Sequence, residues 1–116
     1  MEKTAYLEFI EDSSDYFWSV DTDLKIKYAN KAYLNLLSSV TGKEFKIGDP
    51  MITDLFGKEY SEKWTKYYNQ ALSGELTEII ESIYNPHTKE IEYGLTRFTI
   101  IHDEDGRVSH LNCHAS

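Results

Sequence analysis

The stretch Tyr16-Phe17-Trp18-Ser19-Val20-Asp21-Thr22-Asp23-Leu24-Lys25-Ile26-Lys27-Tyr28-Ala29-Asn30 decides the fold. Apolar residues alternate at Tyr16, Trp18 and Val20, then at Ile26 and Tyr28, the period of a half-buried strand. Asp21-Thr22-Asp23-Leu24 lies between the two runs and offers Asx-type hydrogen bonds that close a hairpin. Asn30 is placed to accept from the free N–H groups of a following helix. The stretch therefore reads strand, tight turn, strand, helix cap.

Working outward, Tyr6, Phe9, Ile10 and Ser13 fall at helical spacing and predict a first helix over 3–13, ended by Ser13-Ser14-Asp15. Its apolar stripe is narrow, so it is expected to pack on the sheet or on a second copy of itself. After Asn30, a second helix is expected to bury Tyr33, Leu36, Leu37 and Val40, and Gly42 is its stop signal. Residues 42–57 read as irregular, with a short helical turn near Ile52 to Phe56. Tyr60, Trp64, Tyr67, Tyr68, Ala71 and Leu72 mark the most regular helix, over 58–73, with Gly74 as its terminator. Three strands follow, over 76–84, 90–101 and from Val108 onward. Asn85-Pro86-His87-Thr88-Lys89 forms one turn between them and Asp103-Glu104-Asp105-Gly106 the other. Two sets of strands around a helical middle imply an antiparallel sheet with helices on one face.

The chain has 116 residues, room for one domain with one modest core. Its net charge of −8 argues against nucleic acid or an anionic membrane surface as a partner. One cysteine, Cys113, excludes an internal disulfide and a multi-cysteine metal site, which fits a reducing cytoplasm. No apolar run approaches the ~20 residues of a membrane span.

Three segments carry a family resemblance. They are Val20 to Ala32 with its Asn30-Lys31-Ala32 helix start, Ala71-Leu72-Ser73-Gly74-Glu75, and Asp103-Glu104-Asp105-Gly106-Arg107-Val108. In order and spacing they resemble a PAS domain, the sensory box of bacterial and archaeal signalling proteins, over residues 14–116. The resemblance implies an α+β fold: a five-stranded antiparallel sheet in the order 2-1-5-4-3, helices packed on one face, and a cavity between them. Residues 1–13 then form an N-terminal flanking helix. The chain stops where such domains often continue into an output motif, which suggests a segment of a longer protein. The resemblance also implies a non-catalytic input module, such as that of a sensor histidine kinase in a two-component system. Its expected partners are a second copy of itself, an adjacent effector domain and a small apolar or aromatic ligand, with no nucleic acid and no direct membrane contact. In this last strand His110 stands where the family often has Gly.

No haem or flavin is expected. Family members that bind haem ligate it from the helical half, but residues 30–75 contain no His. The pair Asn112-Cys113 lies in the last strand and lacks the rest of the flavin-bonding motif. His110 and His114 are four positions apart on a strand, about 13 Å, too far to share one metal ion. Asp21 and Asp23 are explained by the turn without invoking acid–base chemistry. There is no nucleophile–His constellation and no phosphate-binding Gly loop. No catalytic residue and no metal ligand is therefore assigned.

The candidate ligand-binding residues are Trp64, Tyr68, Phe98, Leu111 and Cys113, from the long helix and the inward faces of the last two strands. The same aromatic stripe also suits a plain core. The candidate dimer contacts are Tyr6, Phe9 and Ile10. The competing reading is a cone-shaped α+β isomerase-like enzyme or ligand carrier, which needs an inward acid whose pKa is raised by burial. Strand order separates the two.

Overall fold

The computed structural model describes residues 2–85 and 88–116, with side chains described outside 2–6 and 83–85. Strand β1 spans Tyr16–Asp21 and β2 spans Ile26–Ala29, paired antiparallel. Asp21 closes the turn as its residue type requires. Its Oδ1 accepts from the Asp23 and Lys25 backbone N–H groups, both at 2.9 Å. Leu24 takes φ +60, the left-handed conformation that the hairpin needs. Asp103 repeats the device between the last two strands, accepting from the N–H groups of Asp105 at 2.9 Å and Arg107 at 3.0 Å. There Gly106 holds the positive φ, at +80.

Helix α1 spans Glu2–Asp12, α2 Lys31–Thr41 and α3 Lys58–Leu72, with a 3-10 turn over Asp54–Phe56. Strands β3 (Glu78–Asn85), β4 (Glu90–His102) and β5 (Val108–Ala115) complete the sheet. The strand order is β2-β1-β5-β4-β3 with all pairs antiparallel. The chain crosses from β2 to the far edge β3 through α2 and α3, and β5 returns to the centre. Of the predicted turn over 85–89, Pro86 and His87 lie outside the described residues.

The core lies between the sheet and α2, α3 and the 42–57 segment. Trp18, Val20, Phe98, Leu111 and Cys113 point into it from the sheet, and Tyr33, Leu37, Tyr68 and Ala71 from the helices. The 42–57 segment is irregular, but it also shields the free edge of β2. Ile26 donates to Asp49 O at 2.8 Å and accepts from Gly48 N at 2.8 Å, while Met51 N donates to Leu24 O at 2.9 Å. That pairing satisfies an edge which would otherwise present open hydrogen-bonding groups, and it drops Phe45 and Met51 into the core.

Val40 departs from the expected buried stripe, being 62% exposed. It sits in the last turn of α2, beyond the part of the helix that Tyr33 and Leu37 press onto the sheet. The space beneath that turn is open rather than filled.

Asn30 binds the parts of the domain together. It is fully buried, and as the α2 N-cap its Oδ1 accepts from Tyr33 N at 3.1 Å. The same oxygen accepts from Phe17 N at 3.2 Å. Its Nδ2 donates to Ile10 O and Asp15 O, both at 2.9 Å. One side chain thus joins the end of α1, the α1–β1 link, β1 and α2.

Candidate functional site

A cavity of about 530 Å³ opens beneath the end of α2, between α2, α3 and the inner faces of β1, β3, β4 and the end of β5. This lies within the size range of small-molecule sites. Local sequence explains its walls. Alternation turns Tyr16 and Trp18 inward from β1, and the helical period turns Tyr33, Leu37 and Val40 toward it from α2 and Tyr60, Lys63 and Trp64 from α3. Phe56 of the 3-10 turn closes one side. On the sheet the floor falls at Gly94 and Thr96, where small side chains leave room that Phe98 fills farther along β4.

The rings form a continuous aromatic cluster. Trp18 stacks on Tyr33 with centroids 4.2 Å apart and planes 6° apart, and Trp64 meets Trp18 at 6.5 Å and Tyr60 at 5.9 Å. Beneath them, Trp18 Nε1 donates to the Tyr68 hydroxyl at 2.9 Å, and the Tyr33 hydroxyl lies 3.8 Å from Met51 Sδ. Burial pushes the Tyr33 and Tyr68 phenols well up, so both are neutral donors. Burial, with the charge of Glu81, raises Tyr60 to about 12.

Lys63 and Glu81 are the charged side chains of the described wall. Lys63 Nζ donates to Glu81 Oε2 at 2.9 Å, and the Tyr67 hydroxyl donates to Glu81 Oε1 at 2.8 Å. Burial pushes the Glu81 carboxyl up, but the hydrogen bonds from Lys63 and Tyr67 and the Lys63 charge outweigh it, leaving the pKa lowered. The bond to Glu81 likewise raises Lys63.

Of the five residues proposed from sequence to line a ligand site, Trp64 stands in the cavity wall. Tyr68, Phe98, Leu111 and Cys113 face the same way but lie in the packed core beside it, between fully buried and 6% exposed. Their inward direction followed from strand and helix periods. Their depth did not, because it depends on register: Phe98 pairs with Cys113 and Ile100 with Leu111, which puts these residues along the sheet from the gap at Gly94 and Thr96. Sequence reasoning passed over Tyr16, Phe56, Tyr60, Gly94 and Thr96. The aromatic character of the first three was a usable signal, whereas the role of Gly94 and Thr96 depends on which residues lie across from them.

The outer face of the sheet carries the remaining candidates. Phe9 is 74% exposed and Leu7 56%, while Ile10 is half-buried at a groove with Phe17, Lys27, His110 and His114. The Tyr6 side chain lies outside the described residues. His110 Nδ1 sits 2.9 Å from Ser109 Oγ and 3.4 Å from Lys27 Nζ, and burial and the Lys27 charge lower its pKa. His114 stacks on Phe17 at 4.2 Å and meets Asp15 at 3.0 Å. The two histidines thus hold separate partners on the outer face. Among the described residues no group of three His, Cys, Asp or Glu side chains is arranged to hold a metal ion. No described helix is long and apolar enough to cross a membrane.

The comparisons with known proteins agree with this geometry. Solved structures share the fold at low identity. A sensory box sensor histidine kinase from Vibrio cholerae matches with a TM-score of 0.61 and 19% identity, over 99% of this chain and 87% of that one. The PAS domain of Bordetella pertussis BvgS matches with a TM-score of 0.66 and 10% identity, over 99% and 85%. VqmA from Vibrio cholerae, in a complex with ligand and DNA, matches with a TM-score of 0.68 and 12% identity, over 97% of this chain but 50% of its own length. No curated protein matches the chain. The family model described as the PAS fold matches residues 10–116. With the strand order β2-β1-β5-β4-β3, helices on the inner face and a cavity between them, the chain belongs to the PAS family.

Proposed function

We propose that this domain is a non-catalytic sensory input module that takes a small, mainly apolar or aromatic ligand in the cavity beneath α2. The observation that carries the reading is the composition of the cavity wall. It is mostly aromatic and aliphatic, and it includes Tyr16 at the start of β1 together with Ala115 and Ser116 at the end of β5. A ligand there touches the segments by which the chain enters and leaves the sheet. Occupancy then favours one packing of those segments over another, a population shift that a neighbouring effector domain can read. The likeness to a sensor histidine kinase supports a kinase as that effector, in a cytoplasmic two-component system. The ligand complex of VqmA supports a small-molecule occupant. The exposed Leu7 and Phe9 of α1 support self-association as a homodimer.

The isomerase-like alternative needs an inward acid with a raised pKa. Glu81 is the side-chain carboxyl in the described wall, and its pKa is lowered.

The test is a thermal-shift screen of small aromatic compounds against the domain and its Ala115→Phe variant, which fills the cavity. A compound that binds the folded state alone raises the melting temperature. A hit that stabilises the parent domain and not the variant is the expected result. A screen in which no compound stabilises the parent, or in which the hits stabilise both equally, refutes the cavity as the sensory site.

A further inference from the structure

Lys63 and Glu81 face each other across the mouth of the cavity, one from α3 and one from β3, 2.9 Å apart. Their side chains are 44% and 21% exposed, so the pair adds little to stability and either partner can be exchanged. The rest of the described wall carries no charged side chain, and six of its fourteen residues are aromatic. An occupant that reaches the mouth meets one cation and one anion side by side.

A ligand carrying a single charge takes one of these partners and strands the other in a partly desolvated position, which costs free energy. A neutral ring leaves the pair closed and gains only ring contacts. A ligand with an ammonium and a carboxylate on the same carbon opens the pair and satisfies both ends. From this we infer that the occupant is an aromatic α-amino acid. Its ammonium lies on Glu81, its carboxylate on Lys63, and its side chain points inward to Trp64, Trp18 and Tyr33. An α-amino acid projects its one side chain away from its two charged groups, which matches a polar mouth over an aromatic interior. Trp64 and Tyr60 line the same wall, so aromatic rings are available for favourable contact with the ammonium. Tyr67 keeps its hydrogen bond to the second oxygen of Glu81 and holds the carboxylate in place.

The inference rests on the cavity being the ligand site, and the test separates the two. Four probes are titrated into the domain by calorimetry: L-tryptophan with both charges, indolepropionate with the carboxylate, tryptamine with the ammonium and methylindole with neither. Tryptophan is expected to bind at least about tenfold tighter than each of the others. Glu81→Gln should remove its advantage over indolepropionate, and Lys63→Met its advantage over tryptamine. If methylindole binds as tightly as tryptophan, the cavity stands and the amino-acid inference falls. If none of the four binds the unaltered domain, the inference falls and the broader screen alone decides the cavity. The four-probe comparison uses the unaltered domain, so a variant that fails to fold does not spare the inference.

Discussion

Replacing Asn30 should unfasten α1 from the rest of the domain, and three substitutions separate its tasks. Asn30→Ala removes the α2 cap, worth about 1 kcal/mol. It also strips the Phe17 N–H and the Asp15 carbonyl of the Asn30 side chain, each buried group left unpaired costing about 1–3 kcal/mol. Ile10 O keeps a second donor in Ser13 N at 3.3 Å, so its loss is smaller. The expected total is about 3–7 kcal/mol. Asn30→Ser can still cap α2 through its hydroxyl but does not reach the Ile10 and Asp15 carbonyls, so it should lose about 1 kcal/mol less than alanine. Asn30→Asp keeps the acceptor for Phe17 and Tyr33 and sets a second oxygen against two carbonyl oxygens. The buried carboxyl then has its pKa raised above the unfolded value. Its penalty is full at neutral pH and shrinks as pH falls through the raised pKa, where the protonated form donates to one carbonyl. Urea denaturation followed by the fluorescence of Trp18 and Trp64 measures all three. A loss under about 1 kcal/mol for alanine, or an aspartate variant as stable as the parent at neutral pH, would refute the role assigned to Asn30.

Other tests address single features. Cys113 is 2% exposed and burial raises its thiol pKa, so a thiol reagent should label it far more slowly in the folded domain than in urea; equal rates would show that this face of β5 is not shielded. Gly106→Ala should cost about 1 kcal/mol from backbone strain alone, because no atom lies within 4 Å of an added Cβ while φ is +80; an unchanged urea midpoint would contradict that. Phe9→Asp should halve the light-scattering mass if α1 joins two copies, since Phe9 is 74% exposed and makes little contact within its own chain. A mass that stays at twice the chain would exclude that interface.

The elements of this domain were legible because each is encoded locally. The alternation of Tyr16, Trp18 and Val20, the Asp-initiated turns at Asp21 and Asp103, the cap at Asn30 and the stripe from Tyr60 to Leu72 are all patterns within a few residues. The inward direction of Leu111 and Cys113 follows from the same arithmetic of period two. The five-stranded order was legible only through the family resemblance, since no local pattern states that β5 lies between β1 and β4.

Tertiary structure decided what depends on residues distant in sequence meeting. Whether an inward side chain fills a core or borders a void depends on its partner across the sheet. Phe98 opposite Cys113 fills the interior, whereas Gly94 and Thr96, on the same strand, leave the cavity floor open. The Lys63–Glu81 pair joins α3 to β3 across eighteen positions, and Asn30 reaches back twenty to Ile10. Sequence set the direction of each side chain through the period of its own element. Register and packing set its depth, and with it the difference between a core residue and a wall of the site.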